Sequence, residues 1–144
     1  MSEVIDNIRN TVNKFANSFD LKDWDSLKSV LTTCIYSDYT DLRGTAEIVT
    51  CHEYVSKRIK ALEQLQTHHL FSNYQFSINN QETECILSSI IWRQAGNSKF
   101  TTHAIYNFKL KCSESKGRIY AIKIKQNLLW NEGDSSIHSA VGIN

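Results

Sequence analysis

The chain has 144 residues, 41% of them hydrophobic and 22% charged, so it has room for one domain with one core and too much apolar surface to stay disordered. Its 16 Lys and Arg against 15 Asp and Glu leave a net charge of +1 with no long run of either sign, which argues against nucleic acid as a partner, since such binders carry a basic face. No apolar run approaches the roughly 20 residues that cross a bilayer, and the amino-terminal stretch lacks the basic start and apolar segment of a secretion signal, so no membrane partner and a cytoplasmic setting are expected.

From Val4 onward the apolar residues Val4, Ile5, Ile8, Val12, Phe15, Ala16 and Phe19 recur at steps of three and four, which is one face of an amphipathic helix. Asp23 is a suitable N-cap for a second helix over 24–31, with Trp24, Leu27, Val30 and Leu31 on one side. A strand is predicted over 33–40. Thr50 opens a third helix running to about residue 64, with Tyr54, Val55, Ile59, Leu62 and Leu65 as its apolar stripe.

After Gln66 the period changes to two. Strands are predicted over 67–78, 82–94, 99–112 and 118–130. Their separators, Asn79-Asn80, Gly96-Asn97 and the stretch 113–117, hold residues that tolerate positive φ, so consecutive strands should pair as antiparallel hairpins. In the third of these strands Phe100, Thr102, Ala104, Tyr106, Phe108 and Leu110 share one face, with His103 on the other. In the last, Tyr120, Ile122, Ile124, Leu128 and Trp130 form the apolar face opposite Lys123, Lys125 and Asn127. The four cysteines (Cys34, Cys51, Cys85 and Cys112) form no C-x-x-C pair and read as reduced, buried thiols. Residues 134–144, rich in Ser and Gly, read as a loose tail.

Helices first and a long antiparallel meander last is the order of a single α+β domain over 1–144, with its core at about 4–133. Strands near a dozen residues must coil, so the expected architecture is a cone: a strongly curved antiparallel sheet whose concave face is covered by three amino-terminal helices. Such a cone has an interior that can hold a ligand.

One of the adjacent His68 and His69 must face that interior. His69, Phe71 and Asn73 share a face, yet the apolar Tyr74, Phe76 and Ile78 beyond them are even-numbered, so the inward face switches between Asn73 and Tyr74. A β-bulge there reconciles both halves and turns His69 inward, with His68 at the surface. Adjacent strand residues point to opposite faces and have no partner of ligand type at i+2 or i+4, so no metal site is expected from the pair.

The segment Phe19-Asp20-Leu21-Lys22-Asp23-Trp24-Asp25-Ser26-Leu27, followed by Ser37-Asp38-Tyr39, by Thr67-His68-His69 with Asn73, and by Leu128-Leu129-Trp130-Asn131-Glu132-Gly133, resembles the SnoaL-like domain of the nuclear transport factor 2-like superfamily, closest in pattern to scytalone dehydratase. The resemblance implies that Asp20 and His69 form a catalytic dyad in the cone and that Tyr39 reaches the same cavity. A histidine can take a proton at neutral pH, a carboxylate on its other ring nitrogen fixes the tautomer, and a tyrosine can meet a carbonyl oxygen where charge develops. That set suits proton abstraction beside a carbonyl without metal or organic cofactor.

The chain departs from the dehydratase pattern at several positions. Phe19 stands where the family enzyme has a second tyrosine, Ala104 and Tyr106 fall where a serine and an asparagine contact substrate, and a second pocket histidine is replaced near Trp92 or Arg93. Phe19, Tyr39, Tyr54, Trp92 and Tyr106 are the expected substrate-binding residues, although rings of this kind also serve simply as core. The expected ligand is a small apolar cyclic carbonyl compound, the expected state a homodimer or homotrimer. Two rival readings are a non-catalytic binding or oligomerisation module of the same fold and a partner resembling a dioxygenase small subunit.

Overall fold

The amphipathic face read from Val4 to Phe19 is buried along helix α1 (Ser2–Leu21), where Ile8, Val12, Phe15 and Phe19 all enter the core. The computed structural model describes residues 2–40, 44, 46–79, 82–113, 116–120 and 127–137. Two short helices, α2 (Trp24–Ser29) and α3 (Cys51–Ala61), flank a hairpin of β1 (Cys34–Asp38) and β2 (Ala46–Thr50). The meander follows as β3 (Gln66–Ile78), β4 (Thr83–Ala95), β5 (Ser98–Ser113), β6 (Lys116–Ile119) and β7 (Asn127–Gly133), closed by a 3-10 turn, Ser135–Ile137.

The large sheet runs β3-β4-β5, all antiparallel, with β6 and β7 sharing the outer edge of the long β5. Helix α1 touches both β3 and β6, so the two sides of the sheet curl toward the same helix and the concave face is covered. The end of α2 is stitched to β6: the Ile119 N–H donates to the Val30 carbonyl and the Thr32 N–H to the Ile119 carbonyl, each at 2.8 Å. This is the curved α+β architecture expected from the sequence.

Local signals set the helix ends. Asp23 caps α2 by accepting the Ser26 N–H at 3.2 Å, and Thr50 caps α3 by accepting the Glu53 N–H at 3.1 Å while its hydroxyl donates to the Glu53 carboxylate at 3.0 Å. Helix α1 stops at Lys22, which adopts φ +54°: the Asp23 N–H reaches back to the Ser18 carbonyl and the Lys22 N–H to that of Phe19. A left-handed L residue costs about 1–2 kcal/mol, and glycine returns part of that gain as freedom in the unfolded chain. Lys22→Gly is therefore expected to stabilise the fold by about 0.5–1 kcal/mol, seen as a thermal midpoint raised by roughly 2–3 °C; an unchanged or lower midpoint contradicts this account of the cap.

Some expectations are corrected. Hairpin strand β2 was not anticipated, because Ala46, Glu47 and Ile48 are all exposed and leave no alternation to detect. The predicted strand over 118–130 is divided between β6 and β7, with residues 121–126, including Ile122, Lys123, Ile124 and Lys125, outside the described residues. Leu128 lies opposite Ala104 and Trp130 opposite His103, so one extra residue, Leu129, shifts the phase and carries Trp130 to the outer face. There its ring meets that of His103 at 5.7 Å. On α3 it is Arg58, not Ile59, that is buried with Tyr54 and Val55. Cys34 is exposed and Cys85 buried, both as free thiols, and burial pushes the Cys85 thiol up to about 12. The Cys112 side chain, Asn80, and most of the 134–144 tail with His138 lie outside the described residues.

Candidate active site

The first half of β3 carries the site inward because of one irregularity. Ser72 pairs with Ser88 and Gln75 with Ile86, so β3 holds one residue more than β4 between these pairs, and Asn73 takes φ +54°. The bulge lies at the predicted junction. Residues 67, 69 and 71 face the helices before it, and residues 74, 76 and 78 after it. Beyond the bulge the Tyr74 hydroxyl donates to the Asn13 side chain and fixes that half of the strand to α1.

Asp20 sits in the last turn of α1, and the cap at Lys22 holds it against the start of β3. Its carboxylate takes three hydrogen bonds from that strand: from the Thr67 hydroxyl at 2.8 Å, from the His69 backbone N–H at 2.8 Å, and from His69 Nδ1 at 2.6 Å. The His69 side chain is 6% exposed and that of Asp20 11%. Burial raises the Asp20 pKa, but the hydrogen bonds and charge of His69, with the Thr67 hydroxyl, outweigh it and hold the carboxyl below its ordinary value. An ionised Asp20 accepts, so His69 Nδ1 carries the proton and Nε2 bears the lone pair of the neutral imidazole.

Phe19 and Phe71 wall the imidazole at 5.5 and 6.3 Å between ring centroids, both edge to face. Phe71 leads on to Tyr106 at 5.4 Å, which stacks on Phe108. Tyr39 and Tyr54 are buried, and their hydroxyls meet at 2.8 Å; a series of ring contacts through Phe15 and Phe19 links Tyr54 to His69. Of the expected lining residues, Phe19, Tyr39, Tyr54 and Tyr106 thus share one core. Trp92 does not: alternation sends it to the outer face, 43% exposed and stacked on His68 at 5.6 Å, so its expected place in the lining is corrected.

Several polar residues around the dyad carry no functional role in the sequence reading. Thr67 and the exposed His68, whose Nδ1 is 3.8 Å from the second Asp20 oxygen, surround the carboxylate. Ser89, next to Phe71 on the concave face, has a buried hydroxyl without a partner among the described residues. Arg58 is 3% exposed, stacks over the Tyr39 and Tyr54 rings at 5.0 and 4.6 Å, and its Nε and Nη1 have no hydrogen-bond partner among the described residues. Arg93 is buried on the concave face and donates to Thr102 at 3.0 Å. The signal was in the spacing: Arg93 shares the phase of Leu87, Ser89 and Ile91, and Arg58 stands four residues after Tyr54 and four before Leu62.

The arrangement can hold and move one proton at His69 Nε2 within an aromatic enclosure. No curated protein matches the chain. Solved structures similar to it include the Kfla4162 protein of Kribbella flavida, with 16% identity over 93% of this chain and 94% of that one and a TM-score of 0.82. A candidate scytalone dehydratase of Novosphingobium aromaticivorans gives 8% identity, 93% and 92% coverage and a TM-score of 0.78. The hexachlorocyclohexane dehydrochlorinase LinA-type3 of Novosphingobium barchaimii gives 11%, 92% and 90%, and 0.71. At such identities the likeness establishes the fold. A family profile described as a SnoaL-like domain matches residues 1–122, and the chain belongs to that family.

Proposed function

We propose that the protein is a cofactor-independent dehydratase or isomerase acting on a cyclic or polyketide-like carbonyl compound. The observation that carries this reading is the 2.6 Å contact of Asp20 with His69 Nδ1, which leaves Nε2 as a base on a buried imidazole flanked by the Phe19 and Phe71 rings. His69 Nε2 removes a proton from the carbon next to the carbonyl, and the C–H electron pair moves into the ring as an enolate. The imidazolium, stabilised by Asp20, then gives that proton to a departing hydroxide, so that water leaves, or returns it to another carbon, so that a double bond migrates. The Tyr39–Tyr54 hydroxyl pair donates toward the oxygen on which charge collects. The names of two structural neighbours, dehydratase and dehydrochlorinase, denote eliminations, of water and of hydrogen chloride.

The test is a panel of cyclic ketones and hydroxy-ketones in deuterated water, followed by NMR for exchange of the protons beside the carbonyl and for loss of water. Exchange by the wild type but not by His69→Ala supports the proposal; equal rates for both proteins remove it.

A second reading, a self-assembling module, is favoured by the outer face of the sheet. Leu70, Ile90, His103 and Trp130 form one cross-strand row over β3, β4, β5 and β7, and Leu70, Trp92 and Trp130 are all exposed. In this reading a second or third copy covers the row. Sedimentation velocity is expected to find a dimer or trimer that Leu70→Lys splits into monomers, and a monomeric wild type rules the assembly out.

A further inference from the structure

The interior described above is unbalanced in charge. Asp20 is satisfied by its three hydrogen bonds from β3, while two guanidinium groups, Arg58 and Arg93, are also buried, and among the described residues neither has a carboxylate within ion-pair distance. A buried cation without a counter-charge is costly, and an arginine needs more hydrogen bonds than one hydroxyl can accept. Of the two, Arg93 is tied to the reaction centre. It is 6% exposed, lies over the Phe100 ring at 5.4 Å, and donates to Thr102 at 3.0 Å. Desolvation lowers its pKa to about 10, partly countered by Tyr106, so it stays cationic at neutral pH. Thr102 pairs with Ile91, which pairs with His69, so the three form one row across the concave face. Two strand spacings separate His69 from Thr102, about 10 Å. A carboxylate-bearing ring or ring pair has the length of that span.

We propose that Arg93, with Thr102, forms an anion-binding pole opposite His69, and that the ligand is a cyclic compound carrying a carboxylate rather than a neutral apolar one. The proposal rests on the dyad only for the position of His69; the binding of the anion does not depend on chemistry there. Arg93 meets the carboxylate through the guanidinium N–H groups that do not serve Thr102, and the acidic C–H of the ring is thereby turned toward Nε2.

The probes are 1-naphthoate and 1-naphthamide, matched in shape and different in charge, titrated by calorimetry into the wild type and into Arg93→Met, Thr102→Val, Arg58→Met and His69→Ala. The wild type is expected to bind the acid at least tenfold more tightly than the amide. Arg93→Met abolishes that preference, Thr102→Val weakens it should Arg93→Met fail to fold, and His69→Ala keeps it. Equal binding of acid and amide by the wild type overturns the proposal, as does a preference lost in Arg58→Met but retained in Arg93→Met. A preserved acid preference in a wild type that exchanges no ketone protons rejects the catalytic reading and leaves the anion pole standing.

Discussion

Replacing His69 with glutamine is expected to lower turnover by about 10²–10⁴-fold while leaving the substrate's KM within a few-fold of the wild-type value. Glutamine keeps a polar group against Asp20 but offers no basic lone pair at the position of Nε2. The lost quantity is therefore proton transfer in the transition state rather than ground-state binding, which rests on the aromatic walls of Phe19, Phe71 and Tyr106. The measurement is steady-state kinetics on a compound found to exchange in the ketone panel, with circular dichroism to confirm the fold. A variant retaining more than a tenth of the wild-type kcat removes His69 from the role of base.

Asp20→Asn is expected to lower kcat by a comparable factor and, unlike the His69 change, to weaken the fold in a pH-dependent way. An asparagine amide can present N–H to Nδ1, which moves the imidazole proton to Nε2 and leaves the wrong nitrogen to act. It also gives up charge-assisted acceptance from Thr67, the His69 backbone and the His69 ring. Such a loss costs about 1.5–3 kcal/mol, a fall in thermal midpoint of roughly 5–10 °C at this size. The Asp20 pKa is held below its ordinary value of 3.8 in the folded state, so its contribution is full above that value and fades as pH drops through the lower folded value. The gap in midpoint between wild type and Asp20→Asn should accordingly be constant from pH 7 to about pH 5 and close below about pH 4. A gap that persists unchanged at pH 2.5 contradicts an ionised, hydrogen-bonded Asp20.

The parts of the molecule that could be read in advance are those written in local periodicity. The three- and four-residue steps of α1, the caps at Asp23 and Thr50, and the period-two meander are properties of neighbouring residues, and the chain folds as they direct. Even the bulge could be inferred, because an inward histidine and the later apolar residues of β3 fall on opposite parities and only an extra residue can satisfy both. Where the local signal was absent or ambiguous the reading failed. Exposed β2 has no alternation, Trp130 is displaced by a single extra residue, and Trp92, though aromatic, occupies the outward phase next to the inward Arg93.

By itself, then, the sequence determined the helices and the long strands of the meander, their order, and the apolar face of α1 and of β3 to β5, since hydrophobic pattern and turn chemistry act over a few residues. The tertiary structure alone decided which side chains meet: that Asp20 bonds a strand 47 to 49 residues away at three points, that Tyr39 pairs with Tyr54, and that two arginines are buried without carboxylate partners among the described residues. Those meetings depend on the register between strands and on the angle at which α1 crosses the curved sheet. Both are set by the packing of the whole core, and no stretch of sequence carries either one locally.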